Sequence, residues 1–67
     1  MKTITLTIPN ISCNHCVMTI QREAGFVDGA DFVRGDAETK TATFEVASDE
    51  SLTALKSTLA EAGYPVS

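Results

Sequence analysis

Cys13 and Cys16, three apart in the run Asn10-Ile11-Ser12-Cys13-Asn14-His15-Cys16, are the residues of this chain best equipped for chemistry. Placed where a loop enters a helix, two cysteines at this spacing can turn both sulfurs toward one point. A helix N-terminus exposes unpaired N–H groups and a partial positive charge, which favour thiolate over thiol. A lowered cysteine pKa readies such a pair for metal at neutral pH. Thiolates are soft donors that suit Cu(I), with Zn(II) as competitor. Cu(I) is satisfied by two thiolates, whereas a structural Zn(II) site takes four protein ligands. The chain has two cysteines and one histidine. A closed zinc site would therefore need His15 and a carboxylate, and none is placed for that role. Zinc fingers and redox proteins share C-x-x-C, so the elements around it decide its meaning.

Residues 3–8 read Thr-Ile-Thr-Leu-Thr-Ile, a period-two alternation that predicts a strand with Ile4, Leu6 and Ile8 on its buried face. Pro9 and Asn10 end it, and residues 9–13 form a loop. A helix is expected over 14–24, with Val17, Ile20 and Ala24 as its apolar stripe. Ser12 or Asn14 can cap its start, and Gly25 is the expected stop. Residues 30–34 read as a second strand, in which either Phe32 or Val33 faces inward. Residues 35–38 read as a hairpin turn and 40–46 as a third strand, with Ala42, Phe44 and Val46 inward. Ser48 caps a second helix, whose first turn carries Asp49 and Glu50 where the dipole favours negative charge. Leu52, Leu55, Leu59 and Ala62 mark its stripe, Gly63 ends it, and 64–67 are expected to form a short fourth strand.

The order β-α-β-β-α-β is that of an α+β, ferredoxin-like fold, a four-stranded antiparallel sheet with two helices on one face. The two halves repeat. Ile4, Leu6 and Ile8 fall on Ala42, Phe44 and Val46, and Glu23-Ala24-Gly25 falls on Glu61-Ala62-Gly63. At 67 residues, positions 1–67 make one domain, too small for a deep substrate pocket beside a catalytic apparatus. A hydrophobic content of 43% is too high for a disordered chain, and a net charge of −4 argues against nucleic acid and anionic membrane surfaces. No run approaches the ~18–20 apolar residues of a transmembrane helix. The opening residues lack the apolar block of a signal peptide, so a cytoplasmic protein is expected. A pair this close is a poor disulfide staple and reads as a metal or redox site in a reducing compartment.

With the motif and its context together, the chain resembles the heavy-metal-associated domains of soluble copper chaperones and of copper-transporting P-type ATPases. The resemblance spans essentially the whole chain. Ile11-Ser12-Cys13-Asn14-His15-Cys16 stands against the family's Met-x-Cys-x-x-Cys, and Glu61-Ala62-Gly63-Tyr64 against its Ala-Gly-Tyr or Ala-Gly-Phe. It implies metal ligation by Cys13 and Cys16, with Tyr64 near the metal. It also implies a carrier, not an enzyme, that hands Cu(I) to a partner domain, such as that of a metal-transporting P-type ATPase, by thiolate exchange. Such a carrier is a monomer without metal and can be bridged into a dimer by it.

Ile11 and the pair Asn14-His15 depart from the pattern, and Ser12 bears on the choice of metal. Ile11 replaces the family's methionine, which packs beneath the loop, and isoleucine has a similar volume. Ser12 stands where zinc-selective relatives often carry aspartate, which favours Cu(I). His15 is less usual between the cysteines. It reads as a solvated residue, with a third-ligand or proton-sensing role as alternatives. Tyr64 reads as cover for the core edge or as a phenol turned toward a thiolate. Met18 lies on another helical face. The alternatives to a Cu(I) carrier are a Zn(II), Hg(II) or Cd(II) carrier on the same scaffold, and a thiol–disulfide redox protein.

Overall fold

The computed structural model describes residues 2–67. The period-two segment forms β1 (Lys2–Thr7), followed by α1 (Asn14–Ala24), β2 (Ala30–Asp36), β3 (Thr41–Val46) and α2 (Asp49–Glu61). The strands pair antiparallel in the order β1-β3-β2. The register sets Ile4 opposite Phe44 and Leu6 opposite Ala42. Alternation then sends Leu6, Ala42, Phe44 and Val46 to one face, where Ile20 and Ala24 of α1 and Leu55 and Leu59 of α2 meet them. Both helices thus cover the same side of the sheet. On the opposite face Thr5 and Thr43, also paired in register, join their hydroxyls at 3.1 Å.

α2 starts as its sequence requires, with Ser48 Oγ accepting the Ser51 N–H at 3.2 Å and Asp49 and Glu50 in the first turn. Its end is a Schellman turn. Gly63 takes φ +94°, its N–H bonds the Ala60 carbonyl, and the Tyr64 N–H bonds the Leu59 carbonyl at 2.8 Å. That turn needs the freedom of glycine, and it delivers Tyr64 back toward the start of α1.

Four expectations are corrected. Among the described residues the sheet has three strands, not four. The terminal segment lies beside β1 with the Ser67 N–H bonded to the Thr7 carbonyl at 2.9 Å. Continued antiparallel from that bond, the register brings Pro65 opposite Pro9, and neither has an N–H to extend the ladder. Cys13, not Ser12 or Asn14, is the N-cap of α1, and its side chain caps nothing. Gly25 ends α1 as expected, but as a right-handed C-cap at φ −64° and not as a left-handed C′ residue, and the turns that follow bury Val27.

The fourth correction concerns the hairpin. β2 continues to Asp36, whose carboxylate accepts the Glu38 N–H at 2.8 Å and so starts the turn later than expected. Gly35 lies within the strand, beneath α1. A Cβ there would stand 2.6 Å from Val17 Cγ1. The register sets Ala30 and Phe32 opposite Val46 and Phe44 and so settles the inward residue, and a bulge follows between Phe32 and Arg34. Phe32 packs edge-on to Phe44, ring centroids 5.7 Å apart, while Val33 points to solvent.

Candidate metal centre

Two buried isoleucines set the loop between β1 and α1. Ile8 and Ile11 are both fully inaccessible, so the turn at Pro9 and Asn10 between them is held outside the core. The Ile11 N–H closes that turn on the Ile8 carbonyl at 3.1 Å. Ile11 thus fills the space beneath the loop, as its volume suggests. Two side chains tie the loop to its neighbours. Asn10 Nδ2 donates to the Gly63 carbonyl at 2.8 Å, and Lys40 Nζ donates to the Ile11 carbonyl at 2.9 Å. Neither tie is announced by the sequence pattern.

Cys13 is extended and exposed at the mouth of α1, and its carbonyl accepts the Cys16 N–H at 3.1 Å. That first turn of helix brings Cys16, half-buried, beneath Cys13, and the two sulfurs stand 3.7 Å apart. With metal–sulfur bonds of roughly 2.3 Å, this spacing subtends about 107° at a shared ion. A planar three-coordinate site needs about 4.0 Å between sulfurs, and a linear two-coordinate one about 4.6 Å. At 3.7 Å the spacing is shorter than either requires. Turning the exposed Cys13 side chain outward widens it.

The Cys16 thiol is lowered to about 6. The Tyr64 hydroxyl is the largest cause, followed by the Ser12 backbone N–H and the Ser12 hydroxyl, with burial opposing them and the Cys13 thiol adding a last small lowering. Ser12 Oγ stands 3.6 Å from Cys16 Sγ. The Tyr64 phenol interacts with the same thiol. Its own pKa is raised in turn, first by its interaction with Cys16, as expected of a donor facing a thiolate. Tyr64 and Ser12 thus add to the acidity expected from the helix terminus.

His15 lies exposed in the first turn, its carbonyl accepting the Thr19 hydroxyl at 3.2 Å. Among the described residues no His, Asp or Glu joins the two cysteines as a group of three able to hold a metal. Met18 points to solvent. The structure therefore gathers Ser12, Cys13, Cys16 and Tyr64, and leaves His15 on the rim. No helix among the described residues is long and apolar enough to cross a membrane.

The chain has recognisable relatives among known proteins. Residues 5–65 match the heavy-metal-associated domain. The COP-associated protein of Helicobacter pylori is 32% identical over 94% of this chain and 96% of its own length. The periplasmic component of the mercuric transport protein of Pseudomonas aeruginosa is 35% identical over 98% of this chain and 74% of its own. Among solved structures, the copper chaperone Atx1 from Synechocystis superposes with a TM-score of 0.79 at 31% identity, covering 96% of this chain and 98% of its own.

Proposed function

Because the chain belongs to the heavy-metal-associated domain family, we propose that it is a carrier of soft metal, with Cu(I) as cargo held between the thiolates of Cys13 and Cys16. The observation that carries this reading is the pair itself. Two sulfurs 3.7 Å apart lie at an exposed helix mouth, one of them already acidic enough to be a thiolate at neutral pH. Soft sulfur donors with no oxygen or nitrogen ligand beside them suit Cu(I) better than Zn(II). The Tyr64 hydroxyl and Ser12 hold the charge of Cys16, and His15 stays a solvated neighbour.

Transfer needs no redox change. A partner's thiolate adds to the bound Cu(I), giving a three-coordinate bridged ion. One original sulfur then leaves as thiolate with its electron pair, and a second thiolate of the partner adds and displaces the other in the same way, so that the ion ends on two partner sulfurs. The exposure of Cys13 leaves room for the incoming sulfur. The chain acts as a carrier, not an enzyme, in the reducing cytoplasm, where its two free cysteines stay reduced. Its partner is a thiolate-bearing domain such as that of a metal-transporting P-type ATPase. It works as a monomer when empty, and the open coordination side permits a metal-bridged dimer.

The likeness to the mercuric transport component favours one second reading, Hg(II) as cargo. Anaerobic titration with Cu(I) against a colorimetric chelator tests both, with Hg(II) and Zn(II) in parallel and the Cys13→Ser/Cys16→Ser variant as control. One-to-one Cu(I) binding, lost in the variant, is expected. Failure to compete with the chelator would sink the Cu(I) reading, and tight Hg(II) binding alone would replace it.

A further inference from the structure

Lys40 sits in the turn between β2 and β3, far in sequence from the cysteines, yet it grips the loop that carries them. Its Nζ donates to the Ile11 carbonyl at 2.9 Å, and its own carbonyl accepts the Ile8 N–H at 2.7 Å. With the Ile11 N–H bonded to the Ile8 carbonyl, these bonds form a closed circuit around the loop two residues before Cys13. Among the described residues, Lys40 is the sole non-glycine with a left-handed backbone, at φ +58°. Glycine or asparagine would hold that conformation with less strain. Strain kept at a site points to the side chain as the reason for its retention.

The charge balance points the same way. Two thiolates and one Cu(I) carry a single negative charge, in a chain whose net charge is already −4. Among the described residues, Lys40 is the cation that hydrogen-bonds to the metal loop. We propose that Lys40 is a positioning residue of the metal site: its ammonium fixes the loop through the Ile11 carbonyl and offsets the negative charge of the metal-bound thiolates. The proposal rests on the reading that Cys13 and Cys16 hold Cu(I).

The test compares wild type with Lys40→Met, Lys40→Gly and Lys40→Arg in anaerobic competition for Cu(I) with a chelator, alongside thermal unfolding of the metal-free proteins. Lys40→Met and Lys40→Gly should hold Cu(I) about tenfold less tightly, the scale of other groups that orient metal ligands. Lys40→Arg, which keeps charge and donor, should recover most of the loss. Metal-free Lys40→Gly should unfold no earlier than wild type, because glycine relieves the left-handed strain. Raising the salt concentration should narrow the gap between wild type and Lys40→Met. Wild-type binding with an unchanged Lys40→Met, or an arginine variant as weak as methionine, would overturn the role of Lys40 alone. A wild type that takes up no Cu(I) would overturn the underlying reading and this proposal with it.

Discussion

Asn10 Nδ2 donates to the Gly63 carbonyl over 2.8 Å, joining the loop before Cys13 to the turn that delivers Tyr64. The two segments are far apart in sequence, and each alone is a surface turn. Tied together, they bring the phenol to bear on Cys16. An Asn10→Ala variant should lose about 0.5–1.5 kcal/mol of stability, the net value of one hydrogen bond. It should also raise the Cys16 pKa, because Tyr64 is then free to swing away. Urea unfolding reads the first effect, and the pH dependence of thiol alkylation reads the second. A destabilised variant with unaltered Cys16 acidity would show that Tyr64 is held by the Schellman turn alone.

The phenol itself makes a sharper prediction. Tyr64 is the largest influence lowering Cys16 to about 6. In Tyr64→Phe the alkylation midpoint of Cys16 should move up toward the ordinary thiol range. The sign for stability follows from the same shift. A thiol whose folded pKa lies below its unfolded value stabilises the metal-free fold above the unfolded pKa, near 9.0. That contribution is lost as pH falls, and is gone below about 6. Unfolding of the wild type should therefore grow easier across this window by more than that of Tyr64→Phe. Identical pH profiles for the two proteins would remove Tyr64 from the account.

Much of this was legible beforehand, and the parts that were not have physical reasons. The 3.6-residue stripe of Val17, Ile20 and Ala24 marks α1 at its observed bounds, and alternation assigns Ala42, Phe44 and Val46 to the core. The cysteine pair announces itself by type and spacing. The expected fourth strand keeps one bond to β1, from the Ser67 N–H to the Thr7 carbonyl, and Pro65 and Pro9 have no N–H to add to it, a relation between segments that neither displays alone. The inward choice between Phe32 and Val33 turns on the pairing of Phe32 with Phe44 across the sheet, and the bulge that follows brings Gly35 opposite Ala42, neither of which local periodicity displays. Lys40 reaches a carbonyl 29 residues earlier, and the contact of one flexible side chain leaves no periodic mark.

Gly35 shows how closely the scaffold approaches the site. A Cβ at this position would meet Val17 Cγ1 at 2.6 Å, on the residue after Cys16. Gly35→Ala should push α1 away from β2 and destabilise the protein by about 1–3 kcal/mol. Shortening the opposing side chain should relieve the clash, so Gly35→Ala/Val17→Ala should recover part of the loss. Chemical denaturation of the two singles and the double tests this as a mutant cycle. Additive effects would mean that the two positions do not touch.

The last prediction separates the metal from the fold. Phe44, Ile8, Ile11, Ile20, Leu55 and Leu59 are fully buried, and each contributes about 1.5–3 kcal/mol when removed from water. Cys13 is exposed and Cys16 only half-buried, so two thiolates on a rim are not what holds the helices to the sheet. The metal-free protein should therefore show native circular dichroism and a cooperative thermal transition. Cu(I) should raise the midpoint by mass action, through about 2.7 kcal/mol of added stability when free metal is a hundredfold above its dissociation constant. Phe44→Ala, by contrast, should cost about 3–5 kcal/mol with or without metal. A chain this short has roughly 3–10 kcal/mol to lose. The Phe44→Ala variant should thus be partly unfolded when empty and rescued by Cu(I), whereas Cys13→Ser/Cys16→Ser should be folded and indifferent to it. Unfolding of the wild type on metal removal would contradict the packing argument, because the isoleucine pair and Phe44 would then be insufficient to hold the loop in place.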